Sequence, residues 1–271
     1  MTGLREVLAS ASRVYRERWR LALSLILLSL AATVVPLAAA LALSLGALLF
    51  APGWSEAVAI TSLTAACVFA AAAGVWGQAA LLLAAALPGP APGLEACLET
   101  SWKRLPGFLL VCVLYLAACL GGTCLLLLPG LAASLWLVFG PLIYLTEDIG
   151  PVEALLKSWH LVRGRSWPVA GRLCLFGAAG TLPGLVPAAG VVLQTLAWPM
   201  VLMSLAALLD ELRRSRGGEP FVPARRQKAF LFIAAGASLL PLSLLPWLAA
   251  RFMSYAAGHS AEFAQRLMPG G

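Results

Sequence analysis

The side chains able to do chemistry are few in this sequence and lie far apart. Six cysteines stand at Cys67, Cys97, Cys112, Cys119, Cys124 and Cys174. None forms a C-x-x-C pair and most sit in apolar runs, so they read as small hydrophobes packed between helices. The two histidines, His160 and His259, fall outside the apolar runs, which argues against haem held by histidine inside a membrane. There is no G-x-S-x-G, H-E-x-x-H, P-loop or G-x-G-x-x-G, and no acidic pair lies within an apolar run to carry a proton path. No catalytic set, cofactor or metal is therefore expected, and the chain reads as non-enzymatic. The polar groups left inside apolar runs are few: Arg172, the amides of Gln78 and Gln194, and the hydroxyls of Thr61, Ser62, Thr64, Thr123, Thr195, Ser204, Ser238 and Ser243. Arg172 either snorkels to the interface, pairs with Glu147 or Asp148, or meets a headgroup or solute. The two amides need interhelical hydrogen bonds or a solute.

The elements that carry these residues follow from composition. Of 271 residues, 61% are hydrophobic and 11% charged, against about a quarter charged in a soluble domain. With a mean hydropathy of +0.90, the chain is too apolar for a water-soluble globule, a disordered tail or a secreted disulfide scaffold. An all-α integral membrane protein remains. Apolar runs near 21–50, 58–87, 105–128, 131–145, 167–209 (two spans turning at Pro183-Gly184 and Pro187) and 229–250 predict about seven transmembrane helices. The first two runs exceed a hydrocarbon core of about 30 Å as straight helices, so they tilt, bend at Pro36 or project beyond it.

Charge fixes the expected orientation. With the N-terminus cytoplasmic, all of the 19 Lys and Arg residues except Arg251 and Arg266 fall on the cytoplasmic side, in accord with the positive-inside rule. The whole net charge of +7 then belongs to one face, where each cation near an anionic leaflet is worth about 1 kcal/mol. The expected location is the bacterial cytoplasmic membrane. A cleaved signal peptide is not expected, because the first apolar run continues to Phe50. No motif or aromatic interleaving accompanies the basic residues, so nucleic acid is not an expected partner.

Three segments look alike, beginning at Leu4, Leu94 and Val152. In that register Val7, Cys97 and Leu155 coincide, as do Leu8, Leu98 and Leu156, and Trp19 coincides with Trp167. Offsets of 0, 3, 4 and 7 define one helical face, which predicts three amphipathic helices at the cytoplasmic interface. The expected organisation is a threefold repeat of interfacial helix plus hairpin over 1–88, 92–147 and 150–212. A basic cytoplasmic linker at 213–228 and an extra helix with a short tail at 229–271 complete it.

The third copy, from Gly140 to Leu173, carries a span ending in Glu147, a turn at Gly150, and then Ala154, Leu155, Ser158, Leu161, Gly164 and Trp167 in the pattern A-L-x-x-S-x-x-L-x-x-G-x-x-W. This resembles the bacterial YciC-like membrane proteins, which are similar to the membrane domain of some glycerophosphodiester phosphodiesterases. The looser similarity covers about 1–212. The resemblance implies a polytopic membrane fold and is nearly silent about activity. Phosphodiester hydrolysis belongs to a separate soluble barrel in such fusions, for which this chain has no room. Read physically, Gly164 ends the lying helix, Pro168 suits the first turn of the next, and Trp19 and Trp167 anchor at the interface.

These observations predict a protein that organises or handles lipids or hydrophobic solutes. Lys157, Arg163, Arg165 and Arg172 are the expected contacts to anionic lipid of the cytoplasmic leaflet. The alternative is an accessory subunit of a larger membrane complex. It would dock on a membrane protein partner or a second copy of itself through small-residue faces such as Ala71–Gly74 and Gly121-Gly122. A transporter is a third reading, weakened by the lack of intramembrane charge and of an inverted repeat.

Overall fold

The structure is a computed structural model that describes residues 4–50, 52–87, 93–125, 127–187, 189–216 and 225–238, with single residues and short pieces beyond. Among the described residues it is helical, with no strand. In chain order the helices are α1 (Leu4–Phe50), α2 (Ser55–Ala86), α3 (Leu94–Leu125), α4 (Leu127–Leu137), α5 (Gly140–Thr146), α6 (Pro151–Val162), α7 (Ser166–Thr181), α8 (Gly190–Ser215) and α9 (Arg225–Ala237). Five stretches among them are long and apolar enough to cross a membrane: Ser12–Phe50, Ser55–Ala86, Leu94–Cys124, Leu128–Thr146 and Val192–Ser215. At 16 residues α7 reaches only about 24 Å, and the described part of the last apolar run is the 13-residue α9. The tail from 256 onward and residues 217–224 of the expected linker lie outside the described residues.

The chain divides into two compact units, Met1–Cys112 with Leu135–Pro223, and Val113–Ser134 with Ala224–Gly271. In the first, α1 and α2 form a long antiparallel hairpin joined through the short 3-10 turn Pro52–Trp54. A 47-residue α1 is about 70 Å long. Pro36 and Gly46 are the strong helix breakers within it, and a membrane helix tolerates both. The inner part of α2, Ala79 to Ala85, is buried together with Leu25 of α1, Leu142 and Ile143 of α5, Leu161 and Val162 of α6, and Leu208, Leu209 and Leu212 of α8.

Two expectations about local structure change. The segments at Leu4 and Leu94 are not separate lying helices. Each continues unbroken into the span that follows, as α1 and α3, so Trp19 sits within a continuous helix and marks no bend. Pro106-Gly107 does not stop α3 either. Gly107 instead admits Tyr144 of α5, whose hydroxyl lies 1.8 Å from where a Cβ would stand. Only the third copy forms a distinct helix, α6, followed by a bend. There Gly164 has a φ of +86°, a left-handed conformation that an L side chain adopts at a cost. Pro168 lies in the first turn of α7, as expected, and the 3-10 turn Leu182–Leu185 falls where Pro183-Gly184 placed it.

A break not foreseen from the sequence interrupts the fourth apolar run at Val138-Phe139, between α4 and α5. In the second unit, the later part of α3 meets α9 closely. A Cβ on Gly121 would lie 1.7 Å from the Ala234 carbonyl oxygen, so this small-residue face is used inside the chain.

Candidate functional site: a charged corner where helix ends meet

The chemistry of the first unit gathers where the N-terminal ends of α1, α3 and α7 meet the C-terminal ends of α2, α5 and α8. Contacts tie these ends together in sequence. The Arg18 guanidinium, itself buried, donates to the Ala84 carbonyl at 2.6 Å. The Trp76 indole donates to the Leu98 carbonyl at 3.3 Å. Arg104 Nη1 donates to the carbonyls of Tyr144, Leu145 and Glu147 at 3.2, 3.3 and 3.2 Å. The last carbonyls of a helix have no partner within it and carry its negative dipole end. Arginine supplies both the donors and the charge, so two of these cations act as helix caps.

Glu147 is the hub. Its Oε2 lies 2.5 Å from Lys157 Nζ on α6, and its Oε1 lies 2.9 Å from Arg213 Nη2 on α8. Arg213 also donates to Thr146 Oγ1 at 2.9 Å and pairs with Asp210 at 3.3 Å. The three main partners are about a quarter exposed, so the pairs are only partly screened. One carboxylate thus fastens α5 to both α6 and α8.

Deeper in the first unit, Arg172 of α7 pairs with Glu211 of α8 at 2.5 Å, with side chains 12% and 11% exposed. Its acid is therefore Glu211, and not Glu147 or Asp148 as the sequence suggested. Asp148 is fully exposed and meets Arg104 at 3.6 Å.

The third-copy motif has a physical account. Ala154, Leu155, Leu161 and Ser158 are buried, so the apolar face of α6 packs on protein. Ser158 Oγ donates to the Trp136 carbonyl at 2.6 Å and accepts from the Phe139 N–H at 3.2 Å. Those are the backbone groups set free by the break between α4 and α5. In an apolar surrounding they must be satisfied, and Ser158 splints the break. Gly164 makes the bend, while Trp167 stands 89% exposed beyond it.

The same spacing occurs once more, in a register that the sequence comparison missed, although Ser101 donates within its own helix to the Leu98 carbonyl and Gly107 makes no bend. Ser101-Trp102 with Gly107 and Ser158-Trp159 with Gly164 share the spacing S-W-x-x-x-x-G. Both serines are fully buried. Each tryptophan meets another on a preceding helix, Trp102 on Trp76 at 5.5 Å edge-on and Trp159 on Trp136 at 5.1 Å stacked. This register sets Leu94 against Pro151, one residue away from the alignment of Leu94 with Val152. The two Ser-Trp dipeptides were the available signal.

The four expected lipid contacts fall into two groups. Lys157 and Arg172 spend their charge on Glu147 and Glu211. Arg165 is bound to the neutral Ser215 hydroxyl, and Arg163 is exposed, its carbonyl accepting from Arg216. Exposed cations on the same set of helix ends include Arg13, Arg16, Arg20 and Arg214, with Arg20 lying 5.7 Å from the Trp19 ring. Trp19, Trp102 and Trp167 are exposed beside them. Among the described residues no cluster of His, Cys, Asp and Glu is arranged to hold a metal.

The class defined by these features is a protein that is helical among the described residues, with five stretches there long and apolar enough to cross a membrane. Residues 104–245, more than half of the chain, match the family described as a domain of unknown function (DUF7847), and the chain belongs to that family. No curated protein and no solved structure matches it.

Proposed function

We propose that this chain is a non-enzymatic, polytopic protein of the bacterial cytoplasmic membrane. In this reading its N-terminus is cytoplasmic and it organises or handles lipids or hydrophobic solutes. The observation that carries the reading is the end of the first unit at which α1, α3 and α7 begin. It presents cations with no acidic partner among the described residues (Arg163, Arg165 and Arg214 among them) beside the exposed Trp19, Trp102 and Trp167. Arginine next to tryptophan at the end of apolar helices suits a leaflet rich in anionic headgroups. Lipid contact narrows from four cations to Arg163 and Arg165, since Lys157 and Arg172 are already neutralised.

The repeat belongs to the same proposal. Within each hairpin an arginine on the first helix reaches the end of the second: Arg18 to Ala84, Arg104 to Tyr144 and its neighbours, Arg172 to Glu211. Three hairpins, with α7 as a short span and the last apolar run as a seventh, remain the proposed topology.

The test is native mass spectrometry of the full chain released from mild detergent. Arg163→Gln with Arg165→Gln is expected to lower the retained phosphatidylglycerol and cardiolipin severalfold while the melting temperature stays unchanged. Unaltered lipid retention would overturn the lipid reading. A second reading, an accessory subunit, is favoured by the open small-residue face at Gly74 of α2, which has nothing within 4 Å of a Cβ position. Co-purification of a stoichiometric membrane protein, lost in Gly74→Leu, is the result it requires.

A further inference from the structure

Between α1, α2 and α8 of the first unit lies a crevice of about 330 Å³, lined by Ser29, Thr33, Gln78, Gln194, Thr195 and Trp198 together with apolar Ile26, Leu30 and Leu81. Its walls belong to three of the stretches long enough to cross a membrane. Gly77 is part of its wall and lets α1 and α2 approach closely beside it, because a Cβ there would lie 2.5 Å from Ser29 Oγ. Only part of its hydrogen-bonding capacity is used by the protein. Trp198 Nε1 donates to Gln78 Oε1 at 3.2 Å, which leaves the Gln78 amide nitrogen with its two donors. Thr33 returns its hydroxyl proton to the carbonyls of Ser29 and Leu30. The Gln194 amide has no hydrogen-bond partner among the described residues.

Polar groups held at this depth need partners, since hydrocarbon supplies none. No Lys, Arg, Asp or Glu lines the crevice, so a charged headgroup would be stripped of water there with no counter-ion. Ester and hydroxyl oxygens, by contrast, match the unspent amide donors of Gln78 and Gln194, and Ile26, Leu30 and Leu81 suit an aliphatic chain leaving the site. The volume lies at the small end of ligand pockets, roughly 300–1,000 Å³, and fits a glycerol ester head better than a sugar or phosphate-bearing one.

We propose that the crevice between α1, α2 and α8 binds the uncharged glycerol ester head of a neutral lipid of the diacylglycerol type, with its chains along the apolar faces of α1 and α2. This deepens the proposed lipid handling and rests on it. It adds a site for neutral lipid within the apolar helices, distinct from the cationic helix ends.

The experiment is photolabelling of the full chain in lipid nanodiscs with a diazirine-bearing diacylglycerol, followed by peptide mass spectrometry. Label is expected on peptides holding Ile26 to Thr33, Gly77 to Leu81 and Gln194 to Trp198. Unlabelled dioleoylglycerol is expected to compete at least tenfold better than phosphatidic acid with the same chains. Gln78→Leu with Gln194→Leu should cut labelling tenfold or more, and Gly77→Leu should abolish it by filling the space. Should Gly77→Leu fail to fold, the amide double variant carries the test, with its melting temperature as control. Label spread evenly over the apolar helices, or equal competition by phosphatidic acid or by a long-chain alcohol, would overturn the proposal. Loss of anionic lipid in the Arg163 and Arg165 variants is read independently, so the two sites fail separately.

Discussion

Arg172 offers the sharpest test of how this chain uses its positive charge. Its guanidinium lies 2.5 Å from the Glu211 carboxylate, and both side chains are about nine-tenths buried. At that separation and an effective dielectric of about 20, the gross attraction is about 6–7 kcal/mol, most of it offset by the desolvation of both ions. Breaking the pair from one side is far more costly than removing it. Arg172→Gln strands a buried carboxylate between α7 and α8, at a cost of about 3 kcal/mol, the low end of the range for orphaned buried charges. For a chain of this size that is a fall in melting temperature of about 6–12 °C. Glu211→Gln should cost less, because a long cationic side chain six residues into α7 can snorkel. The double neutral variant should lose only about 1 kcal/mol, so the cycle returns a coupling of about 2–3 kcal/mol. The assay is thermal unfolding in detergent by intrinsic fluorescence, with retained anionic lipid measured in parallel by native mass spectrometry. An Arg172→Gln variant that melts normally while losing anionic lipid would refute the reasoning and make Arg172 a headgroup contact after all.

The remaining expectations concern the same helix ends. Ser158→Ala frees the Phe139 N–H and the Trp136 carbonyl together and should lower stability by about 2–3 kcal/mol in thermal unfolding, whereas Ser158→Thr should recover part of it. Arg104→Lys keeps the charge but replaces a guanidinium whose Nη1 reaches three carbonyls while its Nη2 faces Asp148 with a single ammonium that cannot serve both sides. It should cost about 1 kcal/mol by thermal unfolding and leave membrane orientation unchanged, whereas Arg163→Lys should be neutral on both counts. Gly107→Leu should displace Tyr144 and destabilise by about 1–3 kcal/mol. Single cysteines placed in a cysteine-free chain should be labelled from the cytoplasm within 214–228 and from the opposite side after 252. Labelling of both from one side would refute an odd number of spans.

Some helix boundaries with an evident breaker were legible in the sequence, whereas Pro106-Gly107 lies inside α3 and Pro129-Gly130, which reads as a turn, lies inside α4. Gly164 with Pro168 marked the bend before α7, Pro183-Gly184 marked the turn after it, and the length of each apolar run announced α1 and α2. The break at Val138-Phe139 was not legible, because the residue that makes it tolerable, Ser158, lies on another helix. The lying helices expected at Leu4 and Leu94 illustrate the opposite error. An amphipathic pattern there was real, but a pattern says which face is apolar and not whether a helix stops, and neither segment contains a stop. Glu147 appeared in the sequence as the acid that ends a span. Its role as hub depends on Lys157 and Arg213 arriving from two other helices, which no local pattern encodes.

The meaning of the basic surplus changes once each cation is followed to its partner. Positive charge on one side of a membrane protein needs no further reason than insertion, and by that account any lysine or arginine serves. Arg18, Arg104 and Arg213 do more. They bind carbonyls and a carboxylate at the ends of α2 and α5, and Arg104 and Arg213 use both arms of a guanidinium that lysine lacks. The preference for arginine has two readings, coding bias and structure, and these three positions favour structure. Cations consumed in this way are unavailable to lipid, so the charge that a leaflet would meet is smaller than +7 implies. It is concentrated on Arg163, Arg165, Arg214 and the exposed arginines of α1, where tryptophan also stands exposed. On the proposed reading, headgroups meet the surface that the fold leaves over, and the crevice, which no charged residue lines, serves neutral lipid.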